Sequence, residues 1–349
     1  MADRPTIRDV ARVANTSVGS ISNYLNNTKH VSDDTRERID RAIDELGFIP
    51  NSAVRVVLGG RSHAIGFIHP DSANPALIEV ARGIEDIAVD SNNVVITCNT
   101  ASDPEREGRY ARALSEMRVL GAVVMSIGTT SAHMRLLEAS GAAVVVLGAS
   151  SSGSDFPTIE SNNVQGGYLA MRHLLERGHR DVAFIGGPGA DQAIEDRLAG
   201  ARRAFDEFGL EPDAIRRADA TGGTLASRMA AAEVVLGMLP RPTAAFCAND
   251  MIALALQTVL LRENIAVPEE FGVVGYDDIE AAETAPVPLT TIRQASYEIG
   301  RAAAELVLEL AAGMMPRPRD AFPVELVVRN SVQHIEGTPH ALREGLDPP

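Results

Sequence analysis

The residue types that most often carry chemistry are thinly spread along this 349-residue chain. The two cysteines, Cys98 and Cys247, lie in apolar strand-like runs (VVITC and AAFC). So few cysteines build neither a disulfide framework nor a four-ligand zinc site, and they point to a reducing cytoplasm. His69, His133, His173 and His179 are scattered, and a lone histidine is more often structural than catalytic. GGPGAD, at residues 186–191, comes nearest to a phosphate-cradling loop but lacks the final spacing of G-x-G-x-x-G. No G-x-S-x-G, Walker loop or H-E-x-x-H occurs. No enzyme class, cofactor or metal site is expected.

The elements that would have to position a binding site are easier to read. Thr6 is placed to cap IRDVARVA, Ser17 to cap VGSISNYL, and Ser32 with Asp33 and Asp34 to open a longer helix carrying Ile39, Ala42, Ile43 and Leu46 at helical spacing. Gly47 and Pro50 end it. Only Ala14, Asn15 and Thr16 separate the first two helices, the tight connection of a helix-turn-helix. Ile7, Val10, Ala11, Ala14, Val18, Ile21 and Leu25 are expected to close a small core. Residues 51–62 (NSAVRVVLGGRS) form a linker, and from Ala64 short apolar runs alternate with helical patterns. AIGFIH, VVITC, GAVVMSI and AAVVVLG alternate with helices near 76–91, 104–118 and 131–140. DVAFIGG, TAAFCAN and FGVVGYDD follow, with helices near 193–209, 224–239 and 251–263. Such alternation predicts doubly wound parallel sheets covered on both faces, and two series predict two lobes with a ligand crevice between them.

The charge divides unevenly. The whole chain carries −15, yet residues 1–62 hold nine basic against eight acidic side chains, so the acidity belongs to the remainder. A near-neutral head on an acidic body is compatible with DNA binding through local geometry, with the body repelling nonspecific polyanion contact. No apolar stretch approaches the ~18 residues of a membrane span, and MADRPTIRDV carries charges where a signal peptide needs an apolar core. The expectation is a cytoplasmic protein without a membrane partner.

The head run TIRDVARVANTSVGSISNYLNNTKHVSDDTRERIDRAIDELGFIPN resembles the LacI/GalR family of bacterial transcriptional regulators. So do GRSHAIGFIHPDSANP, RHLLERGHRDVAFIGGP, EDRLAGARRAF, CANDMIALA, GVVGYDDIE and PLTTIRQ, in the family's order, from Thr6 to about Val332. The resemblance implies an all-α helix-turn-helix head (1–50), a hinge helix and linker (51–62) and a two-lobed, periplasmic-binding-protein-like core with doubly wound parallel sheets (63–336). The N-lobe would take about 63–160 and 294–322, and the C-lobe about 161–293 and 323–336, with chain crossings near Glu160, Arg293 and Phe322. The tail, 337–349, lacks the leucine heptad of family tetramers, so a homodimer on double-stranded operator DNA is expected. It would be a repressor, nucleoid-associated when bound to DNA.

The second helix would enter the major groove with Val18 and Gly19 toward base edges. Asn23 stands where many members carry Arg, so an asparagine-to-adenine contact replaces arginine-to-guanine. Thr6, Ser17, Ser20, Ser22, Asn26, His30 and Ser32 match phosphate-contacting positions, and Ser17 and Ser32 serve as caps besides. In the hinge, Asn51, Arg55, Val57 and Leu58 are the DNA-contacting candidates, Val57 with Leu58 standing at the lever that wedges the minor groove. The alternative reading of VRVVL is a buried strand, since its β-branched residues favour extended structure.

In the body, Arg197, Asn249, Asp250 and Asp277 match positions lining the family's inter-lobe cleft, with Asp71, Ser72 and Asn74 on the opposite wall. Arginine supplies a fork of donors and aspartate accepts two hydroxyls, a set suited to a small-molecule effector such as a sugar. The alternative is that Asn249 and Asp250 only cap the following helix and that Asp277 and Asp278 only form a turn. Two positions that often stack on sugar rings are replaced, one by Ala76 and Leu77 and the other by Thr224, and the acid that often follows the fourth strand is Gly148. A smaller, a larger aliphatic or a phosphorylated ligand stays open.

Overall fold

The computed structural model describes residues 5–26, 31–48, 61–125, 131–148, 155–187, 191–317 and 319–335, and the chain divides between Ser62 and His63 into two units.

The first unit holds three helices, α1 (Ile7–Val13), α2 (Val18–Asn26) and α3 (Asp33–Leu46). Asn15 turns the chain between α1 and α2 at a φ of 48°, a left-handed conformation that asparagine tolerates. Gly47, at φ 59°, ends α3 in a left-handed cap in which Phe48 N–H reaches Ile43 O at 3.0 Å. Val10, Ala11, Ala14, Ile21, Ile39 and Ala42 form the core, with Ile7 and Leu25 packed against it. Val18 does not join them. It is 41% exposed at the first position of α2, where the helix begins.

The second unit contains two parallel sheets. The first lobe carries β1 (Ala64–His69), β2 (Val94–Asn99), β3 (Gly121–Val124), β4 (Ala143–Leu147) and β5 (Thr158–Ile159), in the order β2-β1-β3-β4-β5. All six residues of β1 are buried, as a central parallel strand requires. Its helices are α4 (Pro75–Asp90), α5 (Pro104–Glu116) and α6 (Ser131–Ala139). The second lobe carries α7 (Asn163–Glu176), β6 (Val182–Gly186), α8 (Gln192–Glu207), β7 (Arg216–Asp219), α9 (Leu225–Leu236), β8 (Ala244–Cys247), α10 (Asp250–Arg262), β9 (Gly272–Val274) and α11 (Glu280–Thr284), with its sheet in the order β7-β6-β8-β9. β10 (Thr291–Gln294) then leads to α12 (Ser296–Ala311), which packs back on α4, β3 and β4, before β11 (Val324–Val327) pairs antiparallel with β10. The connections beside Glu160, Arg293 and Phe322 run together: Phe322 N–H donates to Glu160 O at 2.7 Å and Asn162 N–H to Phe322 O at 3.0 Å.

The longer elements α7 and α12 and the strand β7, with the short β5, α11, β10 and β11, fall outside the alternation read from the sequence. Two of them make close helix crossings. A Cβ on Gly167 of α7 would stand 1.8 Å from Arg197 O of α8, and one on Gly200 of α8 1.9 Å from Val164 O. In the first lobe Gly83 of α4 and Gly300 of α12 make the matching approach: a Cβ on either would stand 2.1 Å from a backbone oxygen of the other helix. No helix among the described residues is long and apolar enough to cross a membrane.

Candidate functional site

Two surfaces of the molecule present polar groups in an organised way. In the first unit it is the outer face of α2. Ser17, Val18 and Gly19 are exposed, Ser20, Ser22 and Asn23 half-buried, and Ile21 fully buried. Residues four apart share a helix face, so Gly19 lines up with Asn23 opposite the core, and Val18 with Ser22 beside them. A Cβ at Gly19 would meet only Ser17 Oγ at 3.6 Å. Packing therefore leaves room for a side chain that the sequence does not supply.

Ser17 Oγ accepts Ser20 N–H at 3.0 Å, which makes it a cap. Thr6 gives both its N–H and its hydroxyl to Asp9, at 2.9 and 2.7 Å. Ser32 makes no backbone cap and shares a 2.9 Å bond with Thr35 Oγ1 instead. Asn26 ends α2, but its side chain lies outside the described residues, as do His30, Asn51, Arg55, Val57 and Leu58.

In the second unit, loops from both sheets meet around a cavity of about 900 Å³ at the carboxyl ends of the strands, where open α/β sheets place their ligands. Arg197 projects from α8 and is only 9% exposed. Its Nε donates to Asn163 Oδ1 at 2.9 Å, its Nη1 donates to the Ala248 carbonyl, and its guanidinium lies 3.6 Å from the Tyr276 ring centroid. Tyr276 OH also donates to Asn163 Oδ1, at 3.2 Å. The pair Gly166-Gly167 makes this possible, since a Cβ on Gly166 would strike the Tyr276 ring at 2.6 Å.

Asp277 follows β9 with φ at 113°, a conformation side chains rarely adopt. Its Oδ1 accepts from Gln294 Nε2 at 2.7 Å and its Oδ2 from Asn74 Nδ2 at 3.1 Å, a bond that spans the lobes. Burial pushes the Asp277 carboxyl above its usual range, while Arg197 and the two amides pull it back. Asp191, the cap of α8, is raised by burial in the same way, again opposed by Arg197. A second tie spans the lobes, from Arg228 Nη2 to Asp71 Oδ2 at 2.8 Å, with the Arg228 side chain almost wholly buried.

Asp71, Asn74, Arg197, Asn249 and Asp277 thus surround one cavity. Ser72 and Thr224 do not line it. Ser72 is exposed, with Oγ 3.5 Å from His69 Nε2, and Thr224 caps α9 by accepting Ser227 N–H at 3.2 Å. Asn249 lines the cavity and also caps α10 through Ile252 N–H at 2.9 Å. Asp250 lies behind the wall, fully buried, accepting from Thr291 Oγ1 at 2.6 Å and from Ile279 N–H at 2.9 Å. Burial, and next the charge of Asp277, push its carboxyl up to about 8. Asp250 therefore fixes the loop that carries Asp277 rather than facing a ligand.

Sequence reasoning did not single out Arg228, Asp191, Gln294 or the Asn163–Tyr276 support. The glycine pair inside an otherwise helical run was the available signal for that support. Among the described residues no group of three or more His, Cys, Asp or Glu is placed to hold a metal ion.

Comparison with known proteins agrees with this division. Residues 6–51 match the model described as bacterial regulatory proteins, lacI family, and residues 171–332 match a periplasmic binding protein-like domain. The chain is 35% identical over 335 residues to the HTH-type transcriptional repressor PurR of Vibrio campbellii, a match spanning 95% of this chain and 99% of that one. Among solved structures it is similar to the lac repressor dimer bound to operator and the anti-inducer ONPF, with a TM-score of 0.79 and 26% identity over 95% of this chain and all of that one. It is also similar to a complex of the transcriptional regulator CelR with cellobiose, with a TM-score of 0.69 and 29% identity over 94% of this chain and all of that one.

Proposed function

Because the chain belongs to the LacI family of bacterial DNA-binding transcriptional repressors, we propose that it acts as a homodimer on a palindromic operator. A small polar metabolite in the inter-lobe cleft, a sugar or sugar derivative, is its switch. The family is one of repressors rather than enzymes, and the protein is placed in the bacterial cytoplasm on the same reading.

In the head, α2 enters the major groove. Val18 and Gly19 approach base edges, Asn23 pairs with an adenine, and Thr6, Ser17, Ser20, Ser22, Asn26, His30 and Ser32 serve the phosphates. Asn51, Arg55, Val57 and Leu58 form the hinge that meets the minor groove. A short hinge helix is unstable alone and forms only with its dimer partner and DNA, so it suits a switch.

The observation that carries the effector half is the pair of inter-lobe ties at the cleft, Asn74 to Asp277 and Arg228 to Asp71. A ligand engaging Arg197, Asn249 and Asp277 competes with or completes those ties, so it binds one lobe orientation better than another and shifts the population toward it. The lobe angle then sets the separation of the two hinge segments in the dimer, and operator affinity follows.

The test is selection of binding sites from random DNA by the full chain. Recovered sites are expected to be two-fold symmetric, and Asn23→Ala is expected to relax one base position in each half-site by about 1–3 kcal/mol. Asymmetric sites, or sites unchanged by Asn23→Ala, contradict the reading.

A further inference from the structure

The cleft is also selective by charge, an inference that rests on its being the effector site. Among the described residues, the ionisable side chains lining it are Asp71, Asp155, Asp191, Asp196, Asp277, Arg197 and Arg228. Two of the five carboxylates have cationic partners: Asp71 pairs with Arg228, and Asp155 with Arg135.

That leaves Asp191, Asp196 and Asp277 with Arg197 as the remaining cation of the described lining. Two nitrogens of Arg197 are already given to the neutral acceptors Asn163 Oδ1 and Ala248 O, and one face is covered by Tyr276. These three carboxylates outnumber that cation, and burial lifts both Asp191 and Asp277 above the ordinary carboxylate range while Arg197 opposes the shift. An incoming anion would add to that excess, whereas a hydroxyl or ammonium donor relieves it. Phe156 is the single aromatic residue of the described lining, so a flat base has no pair of rings to lie between.

We propose that the effector is a non-anionic, donor-rich molecule, a polyol or an amine, whose O–H or N–H groups are taken by Asp191 and Asp277, and that the cleft rejects phosphorylated and carboxylated compounds.

The experiment uses the full chain and reads hydrogen exchange of the peptides containing Arg197 and Asp277. The probes are inorganic phosphate and the matched set D-glucose, D-glucosamine and D-glucose 6-phosphate. In the wild type neither phosphate nor the phosphorylated sugar is expected to protect the cleft peptides beyond its uncharged or amino counterpart. Asp191→Asn keeps the helix cap, since asparagine caps as well as aspartate. It is expected to admit phosphate roughly tenfold more tightly than the wild type, as the loss of one nearby like charge implies. Asp196→Asn is the second variant should Asp191→Asn fail to fold.

Cleft protection of the wild type by phosphate or glucose 6-phosphate above its partners overturns the charge rule while leaving the cleft in place as the effector site. Unchanged phosphate affinity in a folded Asp→Asn variant overturns it too. Protection of the wild type by glucose but not glucosamine supports a polyol, and the reverse supports an amine. Protection confined to peptides remote from the cleft contradicts the effector site itself.

Discussion

In the second lobe, each polar group that reaches the cleft is fixed from behind. Arg197 is held by Asn163 and the Ala248 carbonyl, Asn249 by its own helix, and Asp277 by Gln294 and by a loop anchored on buried Asp250. The first lobe offers instead a short loop, Asp71 to Asn74, whose residues are exposed or half-buried and whose longest-range bonds go across the cleft to Arg228 and Asp277. One wall is built before a ligand arrives; the other takes its position from the opposite lobe. A preformed wall lowers the ordering cost of binding, and a wall tied across the gap lets binding report on lobe orientation.

The largest expected effect tests the rigid wall. Gly167→Ala forces a methyl into the Arg197 backbone, where no flexible side chain can yield, and is expected to cost about 1–3 kcal/mol in urea or thermal unfolding. Gly83→Ala makes the equivalent clash with Tyr297 O in the first lobe. Both should lower Tm, but only Gly167→Ala should also weaken ligand binding in the thermal-shift assay. Equal ligand affinity in the two variants would show that the α7–α8 crossing does not position the site.

Next comes the tied wall. Arg228→Ala removes a charge-assisted bond from a buried arginine to half-exposed Asp71, expected to cost about 1–2 kcal/mol after allowing for solvent at the aspartate. Distances between spin labels on the two lobes should broaden. An unchanged distribution would mean that the tie does not restrain the lobes.

The pH dependence of stability should also mark the second lobe, which holds buried His173 and His179, each lowered to about 4 chiefly by burial. Their folded values lie below the ordinary 6.5, so their contribution is full above that pH and is lost as pH falls toward 4. Asp250 acts oppositely. Its folded value of about 8 lies above the unfolded 3.8, so its contribution is lost as pH rises through 8. Urea melts between these limits should show a maximum near neutrality, and Asp250→Asn should flatten the alkaline limb. A limb unchanged in that variant would remove Asp250 from the account.

The smallest effect is expected from Asn74→Ala, about 1 kcal/mol for a helix cap and one inter-lobe bond, read as a small drop in Tm.

Much of this organisation was legible along the chain because it is local. Thr6, Ser17 and Gly47 announce helix ends through the backbone groups they can satisfy, and AIGFIH and DVAFIGG announce buried strands by unbroken apolarity. What escaped is what depends on distant partners. QGGY reads as a breaker, yet it lies inside α7 because α8 and Tyr276 need the space that its glycines leave. SYEIGRAAAELVLELA buries small residues against α4 and so shows less of the large-residue stripe that marks a surface helix. β7, RRAD, is a polar edge strand without alternation. The residues missed in the cleft, Arg228 and Asn163 above all, meet partners 157 and 34 positions away, distances at which no local spacing rule operates.

The central claim is that occupancy of the cleft governs DNA binding. Its most direct measurement is an anisotropy titration of a selected operator with the full chain, with and without a compound that stabilises the body in a thermal-shift screen. For the wild type the compound should change operator affinity by about 5–150 fold. Arg197→Ala, and Arg197→Lys should the alanine variant not fold, should bind operator as the wild type does and lose that change. A variant that still responds to the compound with wild-type affinity would place the effector elsewhere and contradict the account.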